Sequence, residues 1–169
     1  CKCLKDIKIN KKDRIVAYMP NTIETVEAFI ASASLGAIWS SCSPDFGTKG
    51  VIERFSQINP KVLFVTNEYF YNGKKINILD RVPDILKKIP SIKNIVIAGY
   101  PGKKKIKKNF RVNKVKIEYW EKLMKFKLSN ISFQKFDFEH ELAILYSSGT
   151  TGKPKCICHK NGGVLLQHK

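Results

Sequence analysis

The chain has 169 residues, of which 43% are hydrophobic and 27% charged, and a formal net charge of +17 at pH 7. That length supports one core of ordinary domain size with little room for a second. No apolar run approaches the roughly 18 residues of a membrane-spanning helix, and no secretory signal is read, which sets aside spanning and disulfide-framework classes.

So much positive charge raises nucleic acid, an acidic membrane or a polyphosphate ligand as partners. Only Arg14, Arg54, Arg81 and Arg111 are arginines, against 27 scattered lysines. Base readout favours arginine, so nucleic acid is not the expected partner and most of the lysines read as solvated surface.

In chain order, "DRIVAYMP" reads as a buried strand over 15–19, stopped by Pro20. Asn21 is the expected cap of a helix with Glu24 at its third position, Ile23, Val26, Ile30, Ala33 and Ala37 at helical spacing, and Gly36 at its end. "AIWSSC" is the next strand and "SPDFG" its turn. A second helix is expected from Lys49 to about Ile58, ended by Asn59-Pro60, before the strand "KVLFVT". A third is expected from about Asn77 to Ile89, kinked or split by Pro83, before the strand "NIVIAGY".

Residues 101–116, "PGKKKIKKNFRVNKVK", form a basic connection that reads either as a phosphate-steering arm or as an exposed link. "WEKLM" begins a short helix, and Asp137, Glu139 and Glu141 lead into the strand "LAILYS". Strands alternating with helices in this rhythm imply an α/β fold of βαβ units with a largely parallel sheet.

The five cysteines lack zinc-knuckle spacing, and their odd number points to a reducing compartment, the cytoplasm. Cys156 and Cys158 alternate on a strand and so face the same way, most simply as small buried hydrophobes. The Asn130-Ile131-Ser132 glycosylation triplet is discounted for the same compartment reason.

The strand "LAILYS" runs into "YSSGTTGKPK", Tyr146 to Lys155. Gly149 and Gly152 let backbone amides approach a ligand closely, Ser147, Ser148, Thr150 and Thr151 offer hydroxyls, and Lys153 and Lys155 add charge. Pro154 keeps the turn from running on into a helix. This set suits a nucleoside triphosphate, although the glycine spacing and Pro154 rule out the Walker A pattern. An ordinary hairpin between "LAILYS" and "PKCICH" is the plainer alternative.

"YSSGTTGKPK" resembles the Tyr-Thr-Ser-Gly-Ser/Thr-Thr-Gly-x-Pro-Lys signature of the adenylate-forming enzymes. "DRIVAYMPNTIETVEAFIASASLGAIWSSCSPDFG" and "HKNGG" place the resemblance within the acetyl-CoA synthetase branch and cover essentially the whole chain. The resemblance implies an acid–CoA ligase: a carboxylate attacks the α-phosphate of MgATP, giving an acyl-adenylate and pyrophosphate, and the thiol of coenzyme A then displaces AMP. Acetoacetate is the implied acid, with acetate or propionate as the alternatives.

By the same resemblance, Ser147, Ser148, Gly149, Thr150, Thr151, Gly152, Lys153 and Lys155 hold the ATP phosphates, and Lys74 of "YNGKK" meets coenzyme A. Tyr71 stands where the branch often has arginine, and Asp45 where it often has glycine. His159 matches a histidine of the branch; it either approaches the nucleotide or is a satisfied core residue. The family's adenine motif, ribose aspartate and catalytic lysine have no counterpart here. The 169 residues therefore read as part of the large domain of such an enzyme, cut at both ends, with no catalytic residue of its own and the remainder of its own polypeptide as its first partner.

Overall fold

Three five-residue runs lie side by side at the centre of the molecule: β2 (Ile38–Cys42), β1 (Arg14–Tyr18) and β3 (Val62–Thr66). Each is buried along nearly its whole length on both faces, the pattern of a parallel strand covered above and below. The structure, a computed structural model, describes residues 2–100, 110–125, 133–148 and 152–169.

Around this centre the chain adds α1 (Lys2–Asp6), α2 (Ile23–Ala33), α3 (Thr48–Phe55), the hairpin β4 (Glu68–Tyr71) and β5 (Lys74–Asn77), and α4 (Val82–Lys88). Further on come β6 (Asn94–Ala98), β7 (Lys116–Tyr119), α5 (Trp120–Leu123), β8 (Glu141–Ser147), β9 (Lys155–Lys160) and α6 (Asn161–Gln167). Among the described residues the main sheet has seven strands in the order β7-β6-β3-β1-β2-β8-β9, all parallel except β9. The expected α/β fold with a largely parallel sheet is therefore what forms.

Alternation along the strands divides the core in two. Val16, Tyr18, Leu63, Val65, Ile95 and Ile97 face α3 and α4, meeting Val51, Phe55, Val82 and Ile85. Ile15, Ala17, Trp39, Phe64 and Val96 face the other way, toward Leu4 of α1, Ala28 of α2 and Trp120 of α5.

Several expectations need correction. The cap of α2 is Thr22 rather than Asn21, because the first helical bond runs from the Val26 amide to the Thr22 carbonyl. The fully buried residues of α2 are the small Ala28 and Ser32, and beside them Phe29 packs on Trp39 of β2; Ile23, Val26 and Ile30 point outward at 75, 50 and 51% exposure. α3 begins at Thr48 and ends at Phe55, three residues short of the expected end. The expected helix from Asn77 is split as well: Asn77 ends β5, a single 3-10 turn covers Leu79–Arg81, and Pro83 lies in the first turn of α4, where its missing N–H costs nothing.

The helix α1, the β4–β5 hairpin and β7 had no expectation. The β4–β5 hairpin closes on Asn72 and Gly73, whose φ values of 47° and 70° make the two-residue turn that Asn-Gly favours. β7 recruits Lys116, the last residue of the basic connection, to pair with Asn94; residues 101–109 of that connection lie outside the described residues.

Candidate functional site: the loop after strand β8

β8 reaches the sheet through one strand neighbour, β2, with Trp39 opposite Ala143. Ser40 reinforces this seam from the side: its Oγ donates to the Ile144 carbonyl at 2.7 Å and lies 3.2 Å from the Tyr146 hydroxyl. The ring of Tyr146 rests 6.5 Å from Phe55, and burial pushes its hydroxyl well above the usual tyrosine range, so it stays neutral and holds the strand end in place.

The turn after β2 is fixed against the same strand ends. Arg54 lies over the Phe46 ring at 4.1 Å, faces Tyr146 at 5.9 Å and donates to the Gly50 carbonyl at 2.9 Å. Beneath it, Cys42 is buried, which pushes its thiol up to about 12. Arg81 reaches across from the other side and donates to the Pro44 and Phe46 carbonyls.

β8 and β9 pair antiparallel, with Tyr146 opposite Cys156 and Ser147 opposite Lys155. The expected hairpin therefore forms, and the motif spans its two strand ends and the connection between them. Ser147 is half-buried at the end of β8, and Ser148, Gly152, Lys153 and Lys155 are exposed. Gly149, Thr150 and Thr151 lie outside the described residues. The motif opens at the carboxyl end of the parallel strands, the edge where open α/β sheets bind ligands.

Lys74 opens β5, exposed and opposite Tyr71. Its hairpin leaves the same carboxyl edge from β3, three strand positions from β8, which is roughly 14 Å at ordinary strand spacing. Lys74 and the described ends of the loop therefore lie on one edge of the sheet.

His159 is half-buried on β9 opposite Ala143. The satisfied core histidine is instead His140, which had no expected role: it is buried, stacks on Phe136 at 4.7 Å and donates through Nε2 to the Gly36 carbonyl at 3.0 Å. Cys156 and Cys158 are exposed thiols rather than buried hydrophobes, because β9 is the outer strand of the sheet and no described helix covers it there. Among the described residues no three His, Cys, Asp or Glu side chains gather as a metal site, and no helix is long and apolar enough to cross a membrane.

The AMP-binding enzyme family matches residues 2–168. The chain is 44% identical over 158 residues to the acetoacetyl-CoA synthetase of Gallus gallus, covering 92% of this chain and 24% of that protein. It is 43% identical to the acetoacetyl-coenzyme A synthetase of Rhizobium meliloti, with 95 and 24% covered. The solved structure of acetoacetyl-CoA synthetase from Streptomyces lividans superposes with a TM-score of 0.87 at 33% identity, over 99% of this chain and 24% of that one. The chain thus spans about a quarter of the length of the curated relatives it matches. With a sheet, a loop and a family profile that coincide along nearly its whole length, this chain belongs to the AMP-binding enzyme family.

Proposed function

We propose that this chain carries the phosphate-binding part of an ATP-dependent acid–CoA ligase that converts acetoacetate, ATP and coenzyme A to acetoacetyl-CoA, AMP and pyrophosphate. The observation that carries the reading is identity of 40 to 44% to acetoacetyl-CoA synthetases along nearly all of the chain, the loop motif included. In the first step an acetoacetate oxygen attacks the α-phosphorus and pyrophosphate leaves; in the second the coenzyme A sulfur attacks the acyl carbon and AMP leaves.

The residues present suit the first step. Ser147, Ser148, Thr150 and Thr151 would donate hydroxyls, Gly149 and Gly152 would expose backbone amides, and Lys153 and Lys155 would balance charge on the departing phosphates. Mg2+ takes hard oxygen ligands and is held chiefly by substrate phosphates, so the serine and threonine hydroxyls fit it; when bound it neutralises phosphate charge. Lys74, on the same sheet edge, would meet a phosphate of coenzyme A. A cytoplasmic setting accords with four described cysteines that are all free thiols.

The test is ATP–pyrophosphate exchange by the full-length polypeptide with acetoacetate, acetate and propionate in turn. Acetoacetate-dependent exchange followed by thioester formation is expected, and the 169 residues alone are expected to give none. Exchange with no acid at all would overturn the reading. Strongly salt-dependent binding to DNA or RNA in place of exchange would point instead to the net charge of +17 as the functional feature.

A further inference from the structure

The residues on both sides of the loop motif are contacted by α3 and the turn that ends it. On the entry side, Tyr146 immediately precedes Ser147, and its ring meets Phe55 and the guanidinium of Arg54, both from the last turn of α3. Arg54 is itself immobilised, stacked on Phe46 and hydrogen-bonded to the Gly50 carbonyl one turn earlier in its own helix. On the exit side, Gln57, two residues past the end of α3, donates through Nε2 to the Pro154 carbonyl at 2.9 Å and to the Glu53 carbonyl at 2.9 Å. Pro154 is buried and sits directly before Lys155.

These contacts have a common consequence. A loop that holds phosphates during their transfer must present its donors already in position, and a connection between two strands does not secure that alone. Here Tyr146 and Pro154, which bracket Ser147 to Lys153, are both contacted from α3 and the turn that ends it. We propose that Arg54 and Gln57 are positioning residues for the nucleotide phosphates, acting through Tyr146 and Pro154, and that they govern ATP use without touching the acid. This rests on the ligase reading. Gln57 is exposed, so its amide adds little to the core and its bond to Pro154 serves the loop.

The experiment uses the full-length enzyme with Gln57→Leu, Arg54→Lys and the double variant, measured by ATP–pyrophosphate exchange with acetoacetate and by thermal unfolding. Gln57→Leu removes the donor at similar volume, and Arg54→Lys keeps the charge while losing the planar stack. Each single variant is expected to raise KM for MgATP by roughly three- to tenfold, the scale of one lost hydrogen bond or cation–π contact. KM for acetoacetate is expected to change less than about twofold, and the Gln57→Leu unfolding midpoint to stay within about 2 °C of the parent, as for an exposed substitution. The double variant should fall short of the product of the singles, because both act on one loop.

An unchanged KM for MgATP in both single variants would overturn the proposal. So would equal rises for MgATP and acetoacetate with a lowered unfolding midpoint, which is the mark of a merely structural role. Failure of the ligase reading is seen separately and earlier, as absence of exchange in the unmodified enzyme, and it takes this proposal down with it.

Discussion

The Arg81 guanidinium donates to the Tyr18 hydroxyl, joining the 3-10 turn before α4 to the carboxyl end of β1 across 63 positions of sequence. The Tyr18 hydroxyl in turn donates to the Phe46 carbonyl, and Arg81 donates to the carbonyls of Pro44 and Phe46. The turn after β2 is thus held by two side chains, Tyr18 from the end of β1 and Arg81 from the 3-10 turn before α4.

Tyr18→Phe removes the middle of that arrangement and leaves its buried ring in place. A loss of about 1–3 kcal/mol is expected, because carbonyl and guanidinium groups in a half-buried site each lose a partner. Urea unfolding of the two forms, compared at equal slope, measures it; a difference near zero would mean that Arg81 alone fixes the turn.

Gly36 closes the turn after α2 at φ +68°, and a Cβ there would sit 2.5 Å from Cε1 of Phe136. Gly36→Ala therefore combines left-handed strain with a clash against a ring that is stacked on the buried His140. We expect roughly 2–4 kcal/mol of destabilisation. A thermal midpoint within error of the parent would show that Phe136 swings aside and that the strain is small.

Burial raises Cys42 to about 12 from an ordinary value of 9.0. The native state then keeps a proton that the unfolded chain releases, so stability is level below pH 9 and falls as pH rises from 9 toward 12, by at most about 1.4 kcal/mol per pH unit for this group. Tyr18 and Tyr146, both pushed up chiefly by burial, add to the decline at the upper end of that window. Cys42→Ala should flatten the slope between pH 9 and 10, which unfolding titrations in that range will register.

Alkylation separates the thiols by position. At pH 8, iodoacetamide should modify Cys156 and Cys158, which are exposed, and leave Cys42, which is 4% exposed and protonated, until the chain unfolds. Peptide mass mapping after brief labelling is the check, and early modification of Cys42 would contradict its burial.

Much of the fold was legible in the sequence because the parallel strands "RIVAY", "VLFVT" and "NIVIA" are short apolar runs rich in β-branched residues, and with "IWSSC" they recur between turn residues at the length of buried strands. The loop was legible for a different reason: its glycines, hydroxyls and lysines are contiguous, so their chemistry needs no partner from elsewhere in the chain. Asn72-Gly73 also carried a readable hairpin signal, which the helical spacing further along obscured.

What only the tertiary structure decided depends on who lies next to whom. The spacing of Ile23, Val26 and Ile30 marks a helical face correctly, yet the face carrying Ala28, Phe29 and Ser32 is the one turned to the sheet. Cys156 and Cys158 share a face, but that face is open because β9 is the outer strand, a fact of sheet order rather than of local pattern. His140 gained its role from Gly36, 104 positions away, and Tyr146 and Pro154, on either side of the loop, gained contacts from Arg54 of α3 and Gln57 just past it, nearly a hundred residues earlier. Sequence periodicity fixes which residues can share a face; which face is covered, and by what, follows from packing among elements far apart in the chain.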